Sequence, residues 1–291
     1  MEIELAKNRE RDSYSFANIN LLGKCNVDCF FCLGKDIADE LGNNNQLSAA
    51  FLGWKNFTQF LAQCKQNKIK KLYITGQNTD SLLYCHLDAL IAYLRRENFD
   101  VGLRTNGFLA LAKMQTINKT NLSVGYSIHS LNPDVNFEIM KRRWVPDWRR
   151  IITSTERPRI SVVVNRYNES EIESLLDFFS EFPNIRYVQM RRVSTDRRVD
   201  ELMPDIEAYE RIYHWYSSMY PMTKLFADAE IYSIKGHDVV FWRTVRTSVN
   251  SMNYFTDGTI SDMYFVVEGY LKYKTKGYED DYDSRESAAN V

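Results

Sequence analysis

Glycine and proline are scarce in this 291-residue sequence, 12 and 6 residues, which excludes collagen-like and linker-rich chains. Net charge is nearly absent: 37 Lys and Arg stand against 38 Asp and Glu, a formal −1. Without a basic field there is no general electrostatic footprint for nucleic acid, so nucleic acid is not expected as a partner. No stretch of eighteen apolar residues occurs, and no membrane span is expected. Met1–Asp12 is highly charged and no apolar run follows it, so no secretory leader is expected. The expected compartment is the cytoplasm, where thiols stay reduced and five cysteines, an odd number, build no disulfide framework. A Walker-type glycine loop and a G-x-S-x-G elbow are both missing. What is present suffices for a packed core: 44% of residues are hydrophobic and 13% aromatic, at a length suited to one large domain or two small ones.

From 14 to 220 the sequence alternates between two periods. Strand patterns fall at 14–23, 71–75, 100–105, 122–128, 159–165 and 186–191. Helical spacing of apolar residues, or helical and irregular chain, falls between them and again over 204–219. Six βα units imply a parallel sheet, and right-handed crossovers curl such a sheet. The expected architecture is α/β, a partial (β/α)6 TIM-like barrel, with functional loops at the carboxyl ends of its strands. After 220 the pattern changes to two hairpins, around Lys235-Gly236-His237 and around Thr256-Asp257-Gly258. The domains are therefore expected as a lead-in over 1–13, a core over 14–220 and a small C-terminal β extension over 221–276 that covers the barrel mouth. An acidic tail over 277–291 is expected to be disordered.

Three of the five cysteines stand together after the first strand, as Cys25-Asn26-Val27-Asp28-Cys29-Phe30-Phe31-Cys32. A C-x₃-C-x₂-C spacing arises by chance in about one chain in a thousand of this cysteine content. Soft thiolates at such spacing select iron–sulfur clusters, zinc or Cu(I). Three ligands instead of four leave a position open for chemistry. Zinc, with His86 or His129 as fourth ligand, stays open on the residues alone. Cys64 and Cys85 lie in helical stretches and read as packed thiols.

This constellation, with an aromatic before its last cysteine and a βα series behind it, resembles the radical S-adenosylmethionine (SAM) superfamily over about 14–220. The resemblance implies a [4Fe–4S] cluster on Cys25, Cys29 and Cys32, with SAM chelated by the fourth iron. Reductive cleavage of SAM then gives a 5′-deoxyadenosyl radical that abstracts hydrogen from substrate. Phe31 matches the aromatic near the adenine. The second strand ends Thr75-Gly76-Gln77-Asn78, where the family carries Gly-Gly-Glu for the SAM amine; here one glycine remains and Gln77 replaces Glu. Thr105, Asn106, Ser127 and Asn165 match polar strand-end positions facing SAM. His129 and Arg191 are the candidate catalytic groups, His129 toward ribose, substrate or acid chemistry and Arg191 as a clamp for carboxylate or phosphate. Along the sixth strand, Gln189 and Arg191 point one way and Met190 and Arg192 the other.

No cysteine follows Cys85, which excludes a second fully cysteine-ligated cluster in this chain. Basic residues gather between Lys141 and Arg159 and again at 191–198, either as a solvated face or as a sign of an anionic substrate. The strand-end layout is similar to that of the guanosine-triphosphate cyclases of molybdenum-cofactor synthesis and related nucleoside-tailoring enzymes. The resemblance thus implies rearrangement, cyclisation or dehydrogenation of a small anionic or nucleotide-type substrate, possessing a phosphate in one form of the expectation. The implied electron donor is a flavodoxin or ferredoxin. A deazapurine-forming or nucleotide-dehydrating enzyme is the alternative within the family. A non-catalytic cluster- or zinc-binding scaffold or sensor is the alternative outside it.

Overall fold

The computed structural model describes residues 16–42, 44–195, 197–226, 229–243 and 251–261. The lead-in and acidic tail expected at the two ends lie outside the described residues. The six expected strands are β1 (Phe16–Leu22), β2 (Lys71–Gln77), β3 (Asp100–Thr105), β4 (Val124–Ser127), β5 (Pro158–Val163) and β6 (Val188–Arg191). Each pairs in parallel with the next. The helices are α1 (Ala38–Leu41), α2 (Phe57–Gln66), α3 (Leu87–Arg96), α4 (Met114–Ile117), α5 (Pro133–Met140), α6 (Trp148–Ser154), α7 (Ile172–Ser180) and α8 (Val199–Met219).

Strand residues of one parity form the core. Ile19 and Leu21, Leu72 and Ile74, Val101 and Leu103, Tyr126, Ile160 and Val162, and Met190 pack in one continuous cluster with α2, α3, α4, α6, α7 and α8. Helix spacing matches that face: α3 buries Leu87, Leu90, Ile91 and Leu94, and α7 buries Ile172, Leu175, Leu176 and Phe179. Residues of the other parity are mostly polar or small, and Asn18 and Asn20, Thr75, Arg104, Gly125 and Ser127, Arg159 and Ser161, and Arg191 line a cavity.

Two helical segments depart from a simple reading of the pattern. Between β3 and β4 the helical chain is only the single turn of α4, preceded by the turns Lys113 N–H to Leu109 O and Ala110 N–H to Gly107 O. Helix α8 starts at Val199, ahead of Pro204, because the Thr195 hydroxyl accepts from the N–H groups of Arg197 and Arg198 and fixes the entry.

The larger correction concerns the C-terminal strands β7 (Met222–Phe226), β8 (Ala229–Ile234), β9 (His237–Trp242), β10 (Ser251–Phe255) and β11 (Ile260–Ser261). Both hairpin turns occur where expected; Lys235 and Gly236 both take positive φ, as a tight turn of that kind requires. The strands do not form a cover over a mouth. β9 adds in parallel to β6 and β10 adds in parallel to β1, giving one sheet in the order β11-β10-β1-β2-β3-β4-β5-β6-β9-β8-β7. The reason is edge pairing: without them β1 and β6 would each present a row of unmatched N–H and C=O groups. The described sheet does not close on itself, so the structure shows an open, mainly parallel α/β sheet.

Candidate active site

The cysteine loop leaves the carboxyl end of β1. Cys25, Cys29 and Cys32 all line a cavity of about 250 Å³ on the polar side of the sheet, and an overlapping one of about 240 Å³. Three groups hold the loop in place. The N–H groups of Asp28 and Phe30 donate to Met140 O and Ile139 O at the end of α5, at 3.0 and 3.2 Å. Arg142 Nε donates to Asn26 O at 2.8 Å. Arg198 donates to Phe30 O at 2.7 Å and to Cys32 O at 2.9 Å, while its Nε pairs with the buried Asp36 at 2.7 Å. Close approach of loop to strand end also depends on missing side chains. A Cβ on Gly34 would meet the Asn78 backbone at 2.7 Å, and one on Gly76 would collide with Thr79 O.

Burial pushes the Cys25 thiol up to about 11 and holds Cys29 and Cys32 above the usual thiol range; in Cys29 the two neighbouring thiols add to it. Such thiols become thiolates only when a cation replaces the proton. The donor set, three soft ligands on one wall with space before them, suits an iron–sulfur cluster. Among the described residues no three Cys, His, Asp or Glu side chains are arranged to hold a single metal ion. His86, offered as a fourth zinc ligand, sits at the surface with Nε2 on Ser48 O. His129 uses Nδ1 to accept the Val163 N–H at 3.1 Å.

The strand-end residues fall into two groups. Thr75, Gly76 and Ser127 line both parts of the cavity, Gln77 and Asn78 the deeper part, and Phe31 and His129 the outer part. Phe31 meets His129 edge-on, ring centroids 5.1 Å apart. Asn78 takes φ 57°, the left-handed conformation that asparagine tolerates. Thr105 and Asn106 also reach the outer part, but their polar groups are engaged. The Thr105 hydroxyl donates to Asp80 at 2.9 Å, and Asp80 also accepts from the Asn106 N–H at 2.6 Å. Asn106 Nδ2 donates to Asn26 Oδ1 at 2.8 Å and lies 3.7 Å from Cys25 Sγ, so this amide touches the cysteine loop. Asn165 is not on the cavity wall. It is fully buried; its Nδ2 donates to Val163 O and its Oδ1 accepts the Tyr167 N–H, which closes the turn after β5.

Burial, with the Arg191 guanidinium adding to it, holds His129 down at about 3. The ring is therefore neutral at ordinary pH, a hydrogen-bonding group and not a stored acid. Arg191 lines both parts of the cavity, on the same side as Gln189 and opposite to the core residue Met190.

Several wall residues carry no expectation from sequence: Asn18, Asn20, Arg104 and Ser161. Arg159, named in the basic cluster, also lines the wall. Their signal was present. Buried parallel strands ordinarily read as continuous apolar runs, and Ala17-Asn18-Ile19-Asn20-Leu21 and Arg159-Ile160-Ser161-Val162 alternate instead. Arg198 and Asp36 gave no local signal, because 162 positions separate them in the chain.

The sequence profile of the Radical SAM superfamily matches residues 19–179, more than half of the chain. The chain belongs to the radical SAM superfamily. Enzymes of this superfamily use a [4Fe–4S] cluster and SAM, and the thiol-lined cavity fits that pair of cofactors. This radical SAM chain is 24% identical over 210 residues to a GTP 3′,8-cyclase of Syntrophomonas wolfei, covering 67% of the chain and 62% of the cyclase. It is 24% identical over 189 residues to that of Aquifex aeolicus, covering 61% and 57%. The chain thus matches about three fifths of the length of these relatives. Among solved structures, SuiB of Streptococcus suis bound to its precursor peptide SuiA superimposes with a TM-score of 0.59, 15% identity, and coverage of 88% of this chain and 60% of SuiB. The SAM-bound form of SuiB superimposes with a TM-score of 0.51, 16% identity, and coverage of 86% and 58%. Among the described residues no helix is long and apolar enough to cross a membrane.

Proposed function

We propose that this chain is a radical SAM enzyme acting on a small anionic, nucleotide-type metabolite by hydrogen abstraction, leading to rearrangement, cyclisation or dehydrogenation. The observation that carries it is the gathering of Cys25, Cys29 and Cys32 with the strand-end groups of β2 and β4 and with Arg191 on one cavity. The catalytic core is 14–220, its sheet curved as a part-barrel with the polar face concave. When bound, the cluster and SAM supply a 5′-deoxyadenosyl radical.

The chain's own residues bind, orient and exclude water. Cys25, Cys29 and Cys32 hold the cluster, and Arg198 and Arg142 keep their loop in register by gripping its carbonyls. Gly76, Gln77 and Thr75 face the SAM amine, where backbone carbonyls accept from an ammonium without the carboxylate that Gln77 replaces. Phe31 packs the adenine, and Ser127 takes a polar group of the nucleoside. Asn106 tunes the cluster side by its contact with Cys25. His129, neutral and fixed by Val163 N–H, orients ligand through its remaining ring nitrogen. Arg191 clamps a substrate anion. The kinship to GTP 3′,8-cyclases supports a nucleotide-type substrate. Reduction by a flavodoxin or ferredoxin completes the proposal.

The test is anaerobic reconstitution followed by dithionite and SAM. The wild type is expected to release 5′-deoxyadenosine, and Cys29→Ala to lose cluster and product together. Full SAM cleavage by Cys29→Ala would overturn the assignment, and a bound cluster without any cleavage across a panel of nucleotides would favour a scaffold.

A further inference from the structure

The cavity gathers positive charge: Arg104 from β3, Arg159 from β5 and Arg191 from β6 line it. Of the carboxylates lining it and its overlapping part, Asp28 is paired with Lys35 at 2.7 Å, and Asp80 accepts from the Thr105 hydroxyl and the Asn106 N–H.

Arg159 is the most telling of the three. It is 6% exposed, and among the described residues no carboxylate pairs with it; its polar contact is Gln189 Oε1 at 3.4 Å. Burying a guanidinium without a counter-charge is costly unless an anion arrives to share the site. The wall is nonetheless built to keep it there. The side chain lies across Gly125, where a Cβ would stand 2.7 Å from its Cζ and Nη2, and its head sits 5.8 Å from the Tyr187 ring centroid. Arg104 is held in the same manner. Its head lies 5.4 Å from the ring centroid of Tyr73, and that ring lies across Gly102, with a Cβ there only 2.6 Å from it. Two glycines on adjacent strands thus make room, Gly125 for the Arg159 head and Gly102 for the Tyr73 ring beneath Arg104, and each arginine lies over a tyrosine ring.

On β1, across the same cavity, Asn18 is 1% exposed. Its Nδ2 donates to Asn253 Oδ1 at 2.8 Å, and its Oδ1 has no hydrogen-bond partner. A buried amide oxygen without a donor is a second polar group able to receive a ligand atom.

We infer that this floor is an oxyanion anchor: Arg104, Arg159 and Arg191 take a multiply charged phosphate or carboxylate group of the substrate, and Asn18 takes a neutral donor of the same molecule. The inference rests on the proposed reading that the cavity admits a substrate, and it adds where the anion goes and what holds it. Planar forks that bind oxyanions bidentately suit this task, and the stacked tyrosines limit the ordering cost on binding.

The test is calorimetric titration of the reconstituted holoprotein with inorganic pyrophosphate and, separately, malonate, in SAM and without reductant. Binding is expected for at least one probe. Tighter pyrophosphate identifies a phosphorylated substrate, and tighter malonate a polycarboxylate. Arg159→Gln is expected to weaken the preferred probe about tenfold or more. Gly125→Ala keeps every charge but displaces the Arg159 head, and is expected to weaken the probe as well. SAM affinity should stay unchanged in both variants, which shows that they fold. Arg150→Gln, an exposed guanidinium elsewhere, should bind the probe like the wild type. Absence of binding by both probes to the wild type, or equal binding by Arg159→Gln, would overturn the anchor. The titration involves no SAM cleavage, so anion binding without 5′-deoxyadenosine formation would strike the enzymatic reading and leave the anchor standing.

Discussion

The two faces of the sheet obey different rules. On one, Ile74, Leu103, Tyr126, Ile160 and Met190 are fully buried against helices in a single apolar core. On the other, one residue along each strand, sit Thr75, Arg104, Ser127, Ser161 and Arg191 around a cavity that the cysteines also line. The first face stores the stability. The second spends some of it, since it buries an uncompensated guanidinium and a vacant amide oxygen that an apolar wall would not. A strand that alternates where it could be uniformly apolar therefore marks the side on which chemistry is done.

Substitutions that separate the faces test this contrast. The largest effect is expected for Cys29→Ala: iron content and 5′-deoxyadenosine both fall to background, with the melting profile of the cluster-free protein kept. On the apolar face, Leu103→Ala should cost about 2–5 kcal/mol in denaturant unfolding, as a large-to-small change in a packed core does. On the cavity face, Ser161→Ala should stay within about 0.5 kcal/mol. Equal costs at the two positions would break the comparison. Arg198→Gln removes the grip on Phe30 O and Cys32 O and the ion pair to the buried Asp36, so cluster loss on exposure to a chelator should quicken. Iron retention like that of the wild type would remove Arg198 from the account.

An effect confined to acid pH concerns His129, buried neutral with its proton affinity depressed to about 3 from an ordinary 6.5. The unfolded chain takes a proton that the folded one refuses, so stability is lost as pH falls from about 6.5 toward 3. His129→Gln, whose side-chain oxygen can still accept the Val163 N–H, should flatten that part of the profile. SAM cleavage should show no step from this residue above about pH 5.

Much of this was legible in the sequence, for reasons that can be named. The six βα units were readable because helix and strand periods differ, and the cysteine loop because soft ligands at short spacing are rare by chance. Both C-terminal hairpins were readable from their turn residues. Their destination was not: nothing local to 239 or 252 records that β6 and β1 need partners, since edge pairing is decided by the finished sheet. Asn165 was placed on the ligand side by its position in a motif, but its amide closes the turn to Tyr167. Thr105 and Asn106 line the cavity, yet their hydrogen bonds go to Asp80 and Asn26, partners that only the fold brings near. Arg159 belongs to a basic cluster that reads from sequence either as a solvated face or as a sign of an anionic substrate, and its strand parity turns it inward over Gly125.

The central claim is that the thiol-lined polar face is a site of reductive SAM cleavage. It is tested most directly by adding dithionite and SAM to the anaerobically reconstituted protein and quantifying 5′-deoxyadenosine by mass spectrometry, with iron measured in parallel. The account predicts 5′-deoxyadenosine together with about four irons per chain. Zinc in place of iron, with no 5′-deoxyadenosine, would contradict it.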